Sequence, residues 1–255
     1  MYKITKLVLL DIIKNKIVLG YMLLLATMVW GVFGLEDNTT KGLLTLVSIL
    51  LLAVPLVSII FATIYIYNSS EFIELLISQP IRRTQIWISL FTGLCIALIV
   101  AFLFGAGIPI LLYAPLHIAL IIISTCSLIT AIFISLAFLS ASFMRDKSKG
   151  IGFTLLLWLY FALLFDGLVL FILFQLSEYP IEKIMILIMT LSPIDLARVL
   201  ILLQLDASAM LGYTGAIFKD FFGEFWGIIF SFLLLIFWVF VPFFISLKKF
   251  NRKDL

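Results

Sequence analysis

The sequence predicts an all-α, polytopic membrane protein with six transmembrane helices, and three observations carry that expectation. The 255-residue chain is 64% hydrophobic and 12% charged, about half the charged share of an average soluble domain. Its apolar residues fall into six runs, 17–35, 43–67, 86–113, 118–143, 151–176 and 225–247, each close to or above the ~20 residues that a bilayer crossing needs. Thirteen of the seventeen Lys and Arg residues follow an even number of those runs. They are Lys3, Lys6, Lys14, Lys16, Arg82, Arg83, Arg145, Lys147, Lys149, Lys248, Lys249, Arg252 and Lys253. Basic residues accumulate in inside loops, so both termini are expected on the cytoplasmic face.

The first element, residues 1–16, reads as an amphipathic helix lying on that face, with Ile4, Leu7, Val8 and Ile12 on one side. Residues 17–255 then form the membrane domain. Pro55, Pro109 and Pro242 fall within or near the ends of spans, where neighbouring helices can re-satisfy the freed backbone groups. Three connections are short. The cytoplasmic connection 68–85 has structure of its own: Ser69 or Ser70 can cap a short helix, Glu71 and Glu74 suit its positive end, and Gln79-Pro80 stops it. Phe72, Ile73, Leu75, Leu76 and Ile77 give it a large apolar surface.

The outer connection, residues 177–224, is long, and long connections with internal order usually carry function. Its stretch 184–205 is apolar enough to suggest a seventh span. However, Ser192-Pro193-Ile194-Asp195 is a helix-start signal in its middle: Ser192 caps, Pro193 suits the first helical position and Asp195 completes a capping-box-like pattern. The pieces on either side are too short to cross. Two short helices resting on or dipping into the outer leaflet are expected instead, with a turn-rich tip around Gly212, Tyr213 and Gly215.

Several chemistries are excluded. No G-x-x-x-x-G-K-[ST] phosphate loop is present, so the chain hydrolyses no nucleotide by that device. His117 is the single histidine, which rules out an H-E-x-x-H zinc protease, and no G-x-S-x-G supplies a serine nucleophile. No catalytic residue is assigned. The net charge of +3 sits at helix ends rather than in one patch, which does not describe a nucleic-acid binder. Cys95 and Cys126 lie within apolar runs and form no disulfide framework. Met185, Met189 and Met210 could suit a soft metal, yet such methionines far more often pack, and no metal site is expected.

The segment Glu74-Leu75-Leu76-Ile77-Ser78-Gln79-Pro80-Ile81-Arg82-Arg83 resembles the stretch between the second and third spans of ABC-2 type permeases. Ser192-Pro193-Ile194-Asp195-Leu196-Ala197-Arg198-Val199-Leu200, with Gly212-Tyr213-Thr214-Gly215-Ala216, is similar to the outer loop of those ABC-2 permeases that serve nitrous oxide reductase maturation. The resemblance implies a type V exporter-like permease with an N-terminal elbow helix and a structured outer loop, set in the bacterial inner membrane as a homodimer. It implies two copies of a separate cytoplasmic ABC ATPase, which carry ATP and Mg, and no cofactor in this chain. It gives the coupling role to Glu71, Phe72, Glu74, Leu75, Leu76 and Gln79, with Arg82, Arg83, Arg145 and Lys147 beside them. It gives contact with a periplasmic copper-handling partner to Ser192, Pro193, Asp195, Arg198 and Tyr213. An exporter of a lipid, drug or antibiotic, and an unrelated membrane scaffold or intramembrane enzyme, remain alternatives.

Two further features stand apart. Asp195 and Arg198 are three residues apart and can pair as an exposed ion pair. Asp166 lies alone in the fifth span, where a carboxylate costs on the order of 2.5–3.5 kcal/mol, so it should find a partner or face water. Finally, Ser127, Ala131 and Ser135 form a small-residue stripe suited to close helix packing.

Overall fold

The computed structural model describes residues 2–36, 38–175, 187–205 and 212–252. Among them, every regular element is helical. Helix α1 spans Tyr2–Ile13, α2 Lys16–Leu35, α3 Thr39–Asn68 and α4 Ser70–Ile77. Next come α5, Arg83–Tyr113, and α6, Leu116–Phe143. Helix α7 is continuous through Lys147–Leu159, Tyr160–Leu164 and Phe165–Gln175. It is followed by α8, Pro193–Gln204, and α9, Gly212–Asn251. Six of these are long and apolar enough to cross a membrane, on the runs that hydropathy marks out.

Short polar side chains punctuate the bundle where the chain must turn. Asn15 accepts from the Ile17 amide at 2.9 Å, Asn38 from that of Thr40 at 3.0 Å, and Asp146 from that of Ser148 at 2.9 Å. Each satisfies an orphan donor at the start of α2, α3 or α7. Ser69 occupies the cap position of α4, but its hydroxyl makes no cap bond, contrary to expectation.

Helices α3, α5 and α6 form the middle of the bundle, and α2, α7 and α9 flank it with long apolar faces outward. Leu23, Leu156, Phe171, Leu233 and Phe237 point away from the core, as lipid-facing side chains do. Ser135 of the small-residue stripe is buried, and Ser127 and Ala131 are half-buried. Three indoles serve as cross-links. Trp158 donates to the Leu52 carbonyl at 3.2 Å, Trp238 to that of Thr190 at 3.0 Å, and Trp87 to the Ser246 hydroxyl at 3.0 Å.

Two helices carry one-turn π segments. In α5, Leu103–Gly107 widens so that the Ile108 amide reaches the Leu103 carbonyl. This lies just before Pro109, whose ring would clash with the carbonyl of Gly105 in a regular helix. In α7, Tyr160–Leu164 does the same, with the Phe165 amide on the Tyr160 carbonyl. No proline explains that one. It immediately precedes Asp166 and turns the following face by roughly 100°, one residue's rotation.

Both ends of the described chain meet at the α4 end of the bundle. Helix α1 packs on α5, with Val8 and Ile12 fully buried and Asp11 accepting from the Tyr65 hydroxyl at 3.2 Å. Leu7, expected on the buried side of α1, is exposed. At the other terminus, Phe250 stacks on Trp87 with ring centres 4.1 Å apart. The opposite end of the bundle is marked by Tyr113, stacked on Phe33 at 4.8 Å.

Two expectations for the outer connection are corrected. Helix α8 does not lie on the surface: Ile194, Leu196, Ala197, Leu200 and Ile201 are buried in the main core, against α9, α6 and α3. At 12 residues it is about 18 Å long and cannot span, so it is a helix inserted into the bundle. The turn-rich tip around Gly212 and Gly215 is the first turn of α9. Phe218, Phe221, Phe222 and Phe225 repeat at helical spacing, and that period outweighs a glycine cost of about 1 kcal/mol each.

Candidate functional site

The α4 end presents the first candidate. Eight residues of α4 lie between α3 and α5, and spacing splits them into two faces. Ile73 and Leu76 are buried against the bundle, with Phe72 and Ile77 half-buried beside them. Glu71, Glu74, Leu75, Ser78 and Gln79 are exposed. Glu71, Glu74 and Leu75 share one face of α4, and Ser78 and Gln79 follow just past its C-terminal end. Leu75 at its centre is 65% exposed, an apolar knob flanked by two carboxylates. Leu76, expected among the contact residues, faces inward and leaves that face.

Beside α4 opens a cleft of about 350 Å³, lined by Tyr67, Ser70, Glu74, Trp87, Arg145 and Phe250 among others. The basic turn 144–150 therefore shares a wall with α4. Its residues also brace the frame: Lys147 donates to Asn68 at 2.7 Å, and the Tyr67 hydroxyl to the Met144 carbonyl at 3.1 Å. Ser246 accepts from Trp87 and donates to the Phe138 carbonyl at 2.8 Å, joining α5, α9 and α6. Arg82 and Arg145 are exposed, and Arg83 is half-buried at the start of α5. A load on α4 thus meets five helices, α3, α5, α6, α7 and α9, tied together within one layer.

The second candidate lies at the opposite end. Asp166 is nineteen residues beyond Lys147 along α7, about 28 Å at ~1.5 Å per residue, close to the thickness of a bilayer's hydrocarbon core. It is not alone there. Arg198 of α8 donates to both Asp166 oxygens, at 3.2 and 3.1 Å, and to Asp195 Oδ1 at 3.3 Å. Asp195 is only 7% exposed, which corrects the expected exposed pair, whereas the Asp166 and Arg198 side chains are each 40% exposed. A small cavity of about 90 Å³ lies among these three residues and Val169, Met189, Val199 and Leu202. Asp195 belongs to α8, outside the six spans, and its carboxyl is pushed up to about 7. Burial is the first cause and the neighbouring Asp166 charge the second, opposed by Arg198 and Ser192.

The capping signal works in part: Ser192 accepts from the Asp195 amide at 3.3 Å, with Pro193 at the first helical position, but the Asp195 carboxyl makes no return bond, and the Ser192 amide donates instead to the Met189 carbonyl at 3.2 Å. The same geometry buries Ser192 and Pro193 completely or nearly so, which takes them off any outer contact surface. The Tyr213 side chain, Met185 and Met210 lie outside the described residues, and Met189 packs against Phe165 and Val199. Among the described residues, no group of three or more His, Cys, Asp or Glu could hold a metal. Sequence reasoning missed the meeting of Asp166 with Arg198. The π segment before Asp166 is what turns it toward α8, and no periodicity signal announces such a segment.

Comparison with known proteins agrees with this architecture. The family model for ABC-2 family transporter proteins matches residues 3–255. The "Probable ABC transporter permease protein NosY" of Pseudomonas aeruginosa is 28% identical over 220 residues, which cover 78% of this chain and 80% of that protein. A family match over nearly the whole chain, on a bundle of six apolar spans with a short helix between the second and third, places this protein in the ABC-2 family of transporters as a membrane permease.

Proposed function

We propose that this permease relays the motion of a separate ATP-hydrolysing partner through α4 to the inserted helix α8. In this reading two copies of the chain form a homodimer carrying two copies of a cytoplasmic ATPase, with ATP and Mg on that partner. Both termini and α4 lie in the cytoplasm. The observation that carries the reading is the two-faced α4: an anchored side fixed by Ile73 and Leu76, and a free side of Glu71, Glu74, Leu75, Ser78 and Gln79. A helix with an apolar knob between charges is suited to a groove on a soluble protein. The bonds linking Asn68 to Lys147, Tyr67 to Met144 and Trp87 through Ser246 to Phe138 would convert a push on α4 into movement of α3, α5, α6, α7 and α9 together. The shift delivered to α8 cannot exceed the partner's differential affinity for the two states.

The likeness to the permease named NosY supports a finer role, service to the copper site of nitrous oxide reductase through an outer partner. Among the described residues assigned to that contact, Arg198 is the one whose side chain is left exposed enough for it.

The test is co-purification with the partner ABC ATPase co-expressed with this chain. Glu71→Lys combined with Glu74→Lys is expected to reduce recovered ATPase at least tenfold, about 1.4 kcal/mol, while the permease still folds in the membrane. Undiminished recovery in that variant, and in one that also carries Leu75→Asp, would overturn the assignment of α4.

A further inference from the structure

The cluster at the far end of the bundle holds two carboxylates against one guanidinium. All three line the 90 Å³ cavity between α7 and α8. Arg198 uses one nitrogen, Nη1, to reach both acids. Asp195 is at least nine-tenths buried, and its Oδ2 has no hydrogen-bond partner. An ionised Asp195 set beside a second carboxylate has no donor from it for that oxygen. One proton on Oδ2 supplies the missing donor and removes the uncompensated negative charge. Among the described side chains, the groups that face Asp195 are Asp166 from α7 and, from α8 and its cap, Arg198 and the Ser192 hydroxyl; the side chains of residues 212–226 of α9 lie outside the described ones.

We propose that Asp195 is a proton-binding site, facing Asp166 and bracketed by Arg198, whose occupancy decides whether α8 stays docked on α7. In the occupied form the Asp195 O–H donates toward Asp166, and Arg198 neutralises the remaining carboxylate. Release sends the proton to the aqueous phase at that end of the bundle and leaves two carboxylates against one cation. Their repulsion then favours separation of α7 from α8. Linkage makes the relation reciprocal: any ligand or partner that pulls α8 away lowers the site's proton affinity, and any that presses it inward raises it. The site does not depend on the reading of α4, so either can fail without the other.

The test uses the full-length chain in lipid nanodiscs, with Cys95 and Cys126 replaced by alanine and a reporter cysteine pair at Val169 and Val199. These two positions line the same cavity from α7 and α8. Disulfide yield under a fixed oxidant is corrected with a reference pair elsewhere in the bundle, because thiol reactivity itself changes with pH. The corrected yield is expected to fall at least threefold from about pH 5 to about pH 9. In Asp195→Asn, which keeps the shape without the titrating group, it should become flat. In Asp166→Asn, which removes the neighbouring charge and with it the repulsion, the docked form should persist at high pH and the pH dependence should shrink. A pH-independent yield in the parent, or the same transition in Asp195→Asn, overturns the proposal. A yield that follows sodium concentration at fixed pH also overturns it, since the site would then bind a metal cation rather than a proton. If Asp195→Asn does not fold, infrared titration of the parent decides: the proposal requires a carboxylic-acid C=O band that disappears over the same pH range, and its absence rejects the site.

Discussion

Gly150 shows how a single position can be fixed by its neighbour. A methyl group built there would overlap the Tyr67 ring, whose hydroxyl holds the Met144 carbonyl at 3.1 Å. Gly150→Ala is therefore expected to displace Tyr67, lose that bond and cost about 1–3 kcal/mol. Thermal unfolding in detergent should show the loss, and Tyr67→Leu in the Gly150→Ala background should recover part of it. Asp195 makes a second prediction through its raised pKa. Between the ordinary carboxylate range and the raised folded value, the native state binds more protons than the unfolded chain, so stability falls as pH rises through that window. Below the unfolded value both states are protonated and the dependence vanishes. Unfolding midpoints measured from about pH 4 to about pH 8 should decline in the parent and decline less in Asp195→Asn. A rising midpoint would contradict the shift.

At the scale of elements, the seating of α1 on α5 rests on Gly93. A Cβ there would stand 2.7 Å from Val8 Cγ1 and 3.4 Å from the Thr5 carbonyl, so the two helices approach more closely than any larger residue allows. Gly93→Ala is expected to lift α1, shown by faster protease cleavage within residues 1–16, and Val8→Ala should restore protection by vacating the nearest atoms. The same scale explains what could be read in advance. Hydropathy located all six spans because length and apolarity are local properties. The start of α8 was legible in Ser192-Pro193 because capping chemistry is local too. Its burial was not legible. An apolar twelve-residue helix suits a lipid surface and a protein interior equally, and only α9, α6 and α3 closing around it decide between them.

For the molecule as a whole, the described chain returns to its starting end: α1, α4 and the end of α9 lie at one end of the bundle, with Tyr113 and Asp166 at the other. A membrane-impermeant maleimide should therefore label Gln79→Cys and Arg145→Cys from one side and His117→Cys from the other. Equal labelling of Gln79→Cys and His117→Cys from one side would contradict the six-span arrangement. The apolar runs and the placement of basic residues determined by themselves the class and the number of crossings. These follow from the cost of placing polar groups in hydrocarbon, which each segment meets on its own. Tertiary structure alone decided that Leu76 turns inward, that α8 is inserted, and that Asp166 meets Arg198 and a buried Asp195. Those outcomes depend on how helices far apart in sequence pack and on a π segment that rotates one face of α7. No local pattern encodes either, because both are properties of the assembled bundle rather than of any stretch of chain.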